Sequence, residues 1–115
     1  MFVSILCAGT APLYYNLLDK RINELIEKTR CFLFTILCGR IAGQEKKEKT
    51  LGQLWAEKNG APVKYITANT AEELAHMVIL KTDYAFFILT GDPFINRLFM
   101  EYKMTGKHGT MIRAV

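Results

Sequence analysis

Apolar side chains gather along this chain in five short runs: Phe2–Cys7, Cys31–Leu37, Val63–Thr67, Tyr84–Leu89 and Thr110–Val115. Each is five to seven residues long, rich in β-branched or aromatic side chains, and apolar almost throughout rather than at alternate positions. A strand buried on both faces reads this way, so the pattern predicts a parallel sheet with helices on each side. The last run contains Arg113 and is the weakest, which predicts an edge strand.

The intervening segments have helical period. Tyr14, Leu17, Leu18, Ile22, Leu25 and Ile26 form an apolar stripe, with Asp19, Lys20, Asn23, Glu24 and Glu27 opposite. Pro12 is placed in the first turn, where its missing N–H costs nothing. Thr50 followed by Gln53 predicts a capping box, opening a helix that carries Leu51, Leu54 and Trp55 and closes at Asn59-Gly60. Thr70 with Glu73 repeats the signal before Leu74, Met77 and Val78. Asp92-Pro93 starts a helix bearing Leu98, Phe99 and Tyr102, which Gly106 stops. Strand and helix thus alternate along the whole chain and end on a strand. The fold class expected is α/β: a three-layer, doubly wound, Rossmann-like sandwich with a five-stranded, mostly parallel sheet, in a single domain over residues 1–115.

Composition narrows the picture. Half of the 115 residues are hydrophobic and 23% are charged, which excludes intrinsic disorder. No apolar run approaches the ~18–20 residues that span a bilayer, so no membrane association is expected. The opening MFVSILCAG lacks a basic segment before its apolar stretch and is read as part of the fold, not as a signal peptide. A net charge of +4 tolerates an anionic partner without requiring one. Cys7, Cys31 and Cys38 are odd in number and lack CxxC spacing, which points to reduced thiols and a cytoplasmic location.

In an open parallel sheet, ligands bind beyond the carboxyl ends of the strands. There the sequence reads Ala8-Gly9-Thr10-Ala11, Cys38-Gly39-Arg40-Ile41-Ala42-Gly43 and Thr90-Gly91-Asp92-Pro93. Glycines at such positions admit a ligand close to the backbone, and a following helix N-terminus offers N–H groups to an anion. Thr10 adds a hydroxyl and Arg40 a forked cation. Asp92 is read first as an N-cap; facing a pocket, its carboxylate would select ribose hydroxyls. Asn96 and Arg97 lie on the helix that starts at this rim, although Arg97 and Glu101 have the spacing of an exposed i, i+4 pair. The candidate ligand-binding set is therefore Gly9, Thr10, Gly39, Arg40, Gly43, Gly91, Asp92, Asn96 and Arg97. Neither GxGxxG nor GxxxxGK[ST] occurs, which excludes those two phosphate-binding fingerprints. His76 and His108 share no metal spacing with each other or with the cysteines, so neither a metal nor a cofactor is assigned. Cys7 and Cys38 end neighbouring strands, but with no histidine fixed beside them they are read as small hydrophobes, and no catalytic residue is assigned. Trp55 is read as core.

The stretch Cys38-Gly39-Arg40-Ile41-Ala42-Gly43, the pair Trp55-Ala56 and the opening Gly60-Ala61-Pro62-Val63 of the third strand resemble the SLOG superfamily. That Rossmann-like group includes YspA/YpsA-related proteins, the LOG phosphoribohydrolases and DprA. Leu6-Cys7-Ala8-Gly9-Thr10, Lys81-Thr82-Asp83 and Lys103–Gly106 are similar to further family positions, so the resemblance covers nearly the whole chain. Arg40 replaces the second glycine of the family's S-G-G-x-x-G-A-D loop, and Gln44–Lys49 stands as an insertion where A-D would fall. Thr90–Arg97 keeps one glycine of the LOG motif P-G-G-x-G-T-x-x-E, and Glu101 is out of register with its glutamate. The resemblance thus implies a pocket for a nucleotide-like small molecule without the phosphoribohydrolase machinery.

The function expected is a nucleotide- or nucleotide-derivative-binding protein of sensor or carrier type. One alternative is a LOG-like nucleoside monophosphate phosphoribohydrolase using Glu101 with Arg97 or Arg40. The other is a DprA-like single-stranded nucleic-acid-binding module. The basic set Arg40, Lys46, Lys47 and Lys49 alternates with Glu45 and Glu48, however, so a solvated loop is the better reading and no nucleic-acid partner is expected. Apolar groups on more than one side of the fourth helix (Phe94, Phe99, Met100, Tyr102 and Met104) lead to the expectation of a homodimer through that helix or the first.

Overall fold

A computed structural model describes residues 1–7, 14–30, 33–43 and 50–113 of the chain. Its elements are β1 (Phe2–Cys7), α1 (Tyr15–Thr29), β2 (Thr35–Ile41), α2 (Leu51–Asn59), β3 (Val63–Ala68), α3 (Ala71–Lys81), β4 (Tyr84–Leu89), α4 (Pro93–Met104) and β5 (His108–Arg113). The five strands form one sheet in the order β3-β2-β1-β4-β5, with every neighbouring pair parallel. This is the doubly wound arrangement expected, and β5 is an edge strand.

Successive strand residues face opposite layers. Ile36, Phe86 and Ile88 join Leu18, Ile22 and Leu25 of α1 and Leu51 and Trp55 of α2 in one core. Phe87 and Ala85 meet Ile79, Ile95, Leu98 and Tyr102 of α3 and α4 on the other face, and Leu37 and Ile66 meet Val78. Trp55 is buried and donates its indole N–H to Asp19 at 3.0 Å, which fixes it as a core residue joining α2 to α1.

The helix ends follow their local chemistry. Thr50 and Gln53 make the full capping box, with the Thr50 hydroxyl accepting from Gln53 N and the Gln53 side chain accepting from Thr50 N. Thr70 accepts from Glu73 N, but the Glu73 carboxylate reaches one residue further back, to Asn69 N. Gly60 closes α2 at φ +66, the left-handed region that glycine enters without a side-chain clash.

Three strands are bounded differently from the sequence reading, β3 only by running one residue further, to Ala68. The second strand begins at Thr35, not Cys31, and runs on to Ile41. Pairing decides this: Thr35 is in register with Phe2, and β3 holds β2 residue by residue as far as Ile41 against Ala68. Leu33, read as strand, is 83% exposed before the sheet starts. The last strand begins two residues early, at His108, in register with Tyr84. Gly9, Thr10, Pro12, Cys31 and the charge run Glu45–Lys49 lie outside the described residues.

Candidate functional site

The strand order reverses beside β1, which sends the chain to β2 on one side while β4 sends it to β5 on the other. A cavity of about 240 Å³ opens there at the carboxyl ends of β1 and β2. Its floor is Ile5, Leu6 and Cys7 with Leu37, Cys38 and Gly39. Three helices start against it: Thr50, Leu51 and Gly52 from α2, Ala71 from α3, and Phe94 and Ile95 from α4 all line its wall. Leu74, Ala75 and Val78 complete the α3 side. The volume is below the ~300–1,000 Å³ usual for drug-sized ligands, so it suits one ring system with its attached group.

A wider cleft of about 580 Å³ lies at the opposite edge, between α1 and the starts of β4 and β5. Several of its charged groups, though among the described residues not Lys28, are engaged with the protein. Arg21 pairs with Glu24 at 3.1 Å, and Asp83 accepts from Phe2 N at 2.8 Å. The smaller, more apolar cavity at the strand carboxyl ends is the stronger candidate.

The residues singled out from the sequence divide around it. Gly39 lines the cavity, but as a residue within β2 rather than in a turn after it. A Cβ there would stand 2.8 Å from a Leu74 methyl, so the glycine lets α3 close over β2. Arg40, the next residue, is not part of the lining; its guanidinium is stacked 3.6 Å over the centre of the Tyr65 ring. Gly43 turns the chain after β2 at φ +79, outside the cavity wall. Gly91, at φ +93, turns β4 into α4 and presents Asp92, whose carboxylate accepts from Ile95 N at 3.0 Å. Asp92 is thus an N-cap. Asn96 is exposed on α4, and Arg97 reaches Glu101 at 3.3 Å and Glu72 at 3.7 Å on the outer surface. Neither residue lines the cavity, and Glu101 does not either.

Cys7 and Cys38, set aside as small hydrophobes, prove to be part of the lining. Burial pushes both thiols above their ordinary pKa, and for Cys38 the Thr50 hydroxyl and the Arg40 charge act against that rise. Both are thereby kept as neutral thiols at physiological pH. Gly52 was missed, although a glycine in the first turn of a well-capped helix carries a signal of its own. It gives up helix propensity for close approach, and here an added Cβ would stand 3.3 Å from Ile36. Among the described residues no group of three His, Cys, Asp or Glu side chains is placed to hold a metal ion. No helix of the described chain is long and apolar enough to cross a membrane.

Searches against protein-family models and against curated proteins find no match to the chain.

Proposed function

We propose that this chain binds a small nucleotide or nucleotide derivative at the carboxyl edge of its sheet and works as a sensor or carrier. The observation that carries the reading is the convergence of the first turns of α2, α3 and α4 on one mostly apolar cavity beside the switch in strand order. An apolar wall suits the face of a base, while the N-terminus of α2, which has no acidic residue in its first turn, favours an attached anion at the margin. The resemblance of Cys38–Gly43 and Gly60–Val63 to SLOG proteins points the same way. Binding is favoured over turnover because Arg97 and Glu101 are spent on each other away from the cavity, and its two thiols are held neutral.

Thermal-shift and calorimetric titration with nucleoside monophosphates, cyclic nucleotides and ADP-ribose derivatives test the reading. Ligand at 100 times its dissociation constant raises stability by about 2.7 kcal/mol. Ala75→Phe, which fills the cavity from α3, abolishes the shift while circular dichroism stays unchanged. Absence of any shift across the set overturns the proposal. A cytoplasmic, reducing setting and a homodimer belong to the same reading. The dimer is expected through α4, where Met100 is 57% and Met104 86% exposed. Sedimentation showing a monomer at micromolar concentration excludes it.

A further inference from the structure

Three arginines of this chain are placed in different ways. Arg21 and Arg97 point along their helices to carboxylates, at 3.1 Å to Glu24 and 3.3 Å to Glu101. Arg40 has no carboxylate at ion-pair distance among the described residues, and an aromatic ring holds it instead. Its position is set by the sheet. Cys38 is in register with Tyr65, and Arg40, two residues further along the same face, lies diagonally across from that ring. Tyr65 is itself oriented, because the Gln53 side-chain amide donates to its hydroxyl at 2.8 Å. Gln53 is in turn fixed by its reciprocal bonds with Thr50, and Thr50 lines the cavity.

We propose that Tyr65 is a positioning residue for Arg40, which its ring holds ready as the anion contact of the ligand site. The inference rests on the nucleotide reading above and names the group that gives it selectivity for a phosphorylated ligand. An arginine on a flexible stem loses rotamer freedom when it grips a phosphate; one already stacked on a ring loses less. Stacking on Tyr65 occupies one face of the guanidinium and leaves its N–H edge, the part that matches phosphate oxygens bidentately. The arrangement also accounts for an arginine at this point of β2. Arg40 flanks the cavity without lining it: Gly39 and Ile41 on either side of it and Cys38 on its own face of β2 do line it, and the field of its charge reaches the Cys38 thiol on the cavity floor.

Calorimetry on the whole chain with AMP and adenosine as probes tests this. Wild type binds AMP more tightly than adenosine. Arg40→Met lowers AMP affinity roughly 10- to 100-fold and leaves adenosine unchanged. Tyr65→Leu, which removes the ring, lowers AMP affinity about threefold with adenosine again unchanged, and Tyr65→Phe, which restores the ring, returns it to within about twofold of wild type. Tyr65 is 40% exposed, so these changes leave the core intact. An AMP preference that survives Arg40→Met, or that is the same in Tyr65→Leu as in wild type, overturns the inference and leaves the nucleotide reading standing. Equal wild-type affinity for the two probes does the same. Binding of neither probe nor of any other nucleotide overturns both.

Discussion

The two edges of the sheet use their polar groups in opposite ways. At the amino edge, polar groups are tied to other parts of the protein. The Met1 amino group donates to Leu33 O, Phe2 N donates to the Asp83 carboxylate, and Asp83 N returns a bond to Phe2 O at 2.9 Å. Lys107 Nζ donates to three carbonyls at the end of α3, those of Ile79, Leu80 and Thr82, at 2.8–3.0 Å. The buried hydroxyls of Ser4 and Thr82 lie 2.6 Å apart, and Thr82 also donates to Val78 O. A hydroxyl has one proton, so Ser4 must be the donor of that pair. The carboxyl edge instead has an apolar cavity, three helix starts and an arginine held by a ring. Saturated hydrogen bonds make one edge a foundation, while the other leaves an apolar cavity open between its capped helix starts.

The sharpest test of this contrast lies in the foundation. Thr82→Val removes a donor and an acceptor from a buried site and strands the Ser4 hydroxyl, which costs about 3 kcal/mol in urea unfolding. Adding Ser4→Ala costs less than its effect alone, by about 1 kcal/mol in a double-mutant cycle. If the two add independently, the hydroxyl relay is not a unit.

Two glycines then separate the edges directly. A Cβ on Gly109 would meet the Ala85 carbonyl oxygen at 2.8 Å and the Tyr102 ring at 3.1 Å, and backbone cannot give way. Gly109→Ala should cost about 2 kcal/mol. On Gly39 the same 2.8 Å contact is to a Leu74 methyl, which can swing toward the cavity. Gly39→Ala should cost under about 1 kcal/mol and reduce ligand binding instead. Equal losses of stability would break the comparison.

Lys107→Met, which removes the cation from the end of α3, should cost about 1 kcal/mol and loosen amide protection there in hydrogen exchange. A smaller effect appears on the pH axis. Tyr102 is buried and donates to His108 O at 2.5 Å, and burial pushes its pKa up to about 12. The unfolded phenol ionises near 10. This contribution is therefore complete below pH ~10 and is lost as pH rises through 12, amounting to about 1 kcal/mol at pH 11. The raised Cys7, Cys38 and Tyr15 add in the same direction. Tyr102→Phe should flatten the decline between pH 9 and 11, and an unchanged slope would assign it to the other groups.

Most of the fold was legible because local signals agreed with one another. Thr50–Gln53, Asp92-Pro93 and Gly60 mark helix ends through bonds made within four residues, and Tyr84–Leu89 reads as a strand on composition alone. The site was legible only in part. Arg97 and Asp92 have the chemistry of ligand contacts, yet Glu101, Glu72 and Ile95 N engage them first. Lys107 and Tyr65 carried no local signal, since their partners lie 25 to 28 residues away for Lys107 and 12 for the Tyr65 hydroxyl.

What this sequence determined by itself is the alternation of apolar runs and capped amphipathic stretches, and with it a parallel α/β sandwich, because propensity, capping and periodicity act over a few residues. Only the tertiary structure decided where β2 begins, that Gly39 sits inside a strand, and which polar groups the protein itself engages. Strand register is a pairing between distant segments, and the partner of a charged side chain is set by which segments the fold brings beside it.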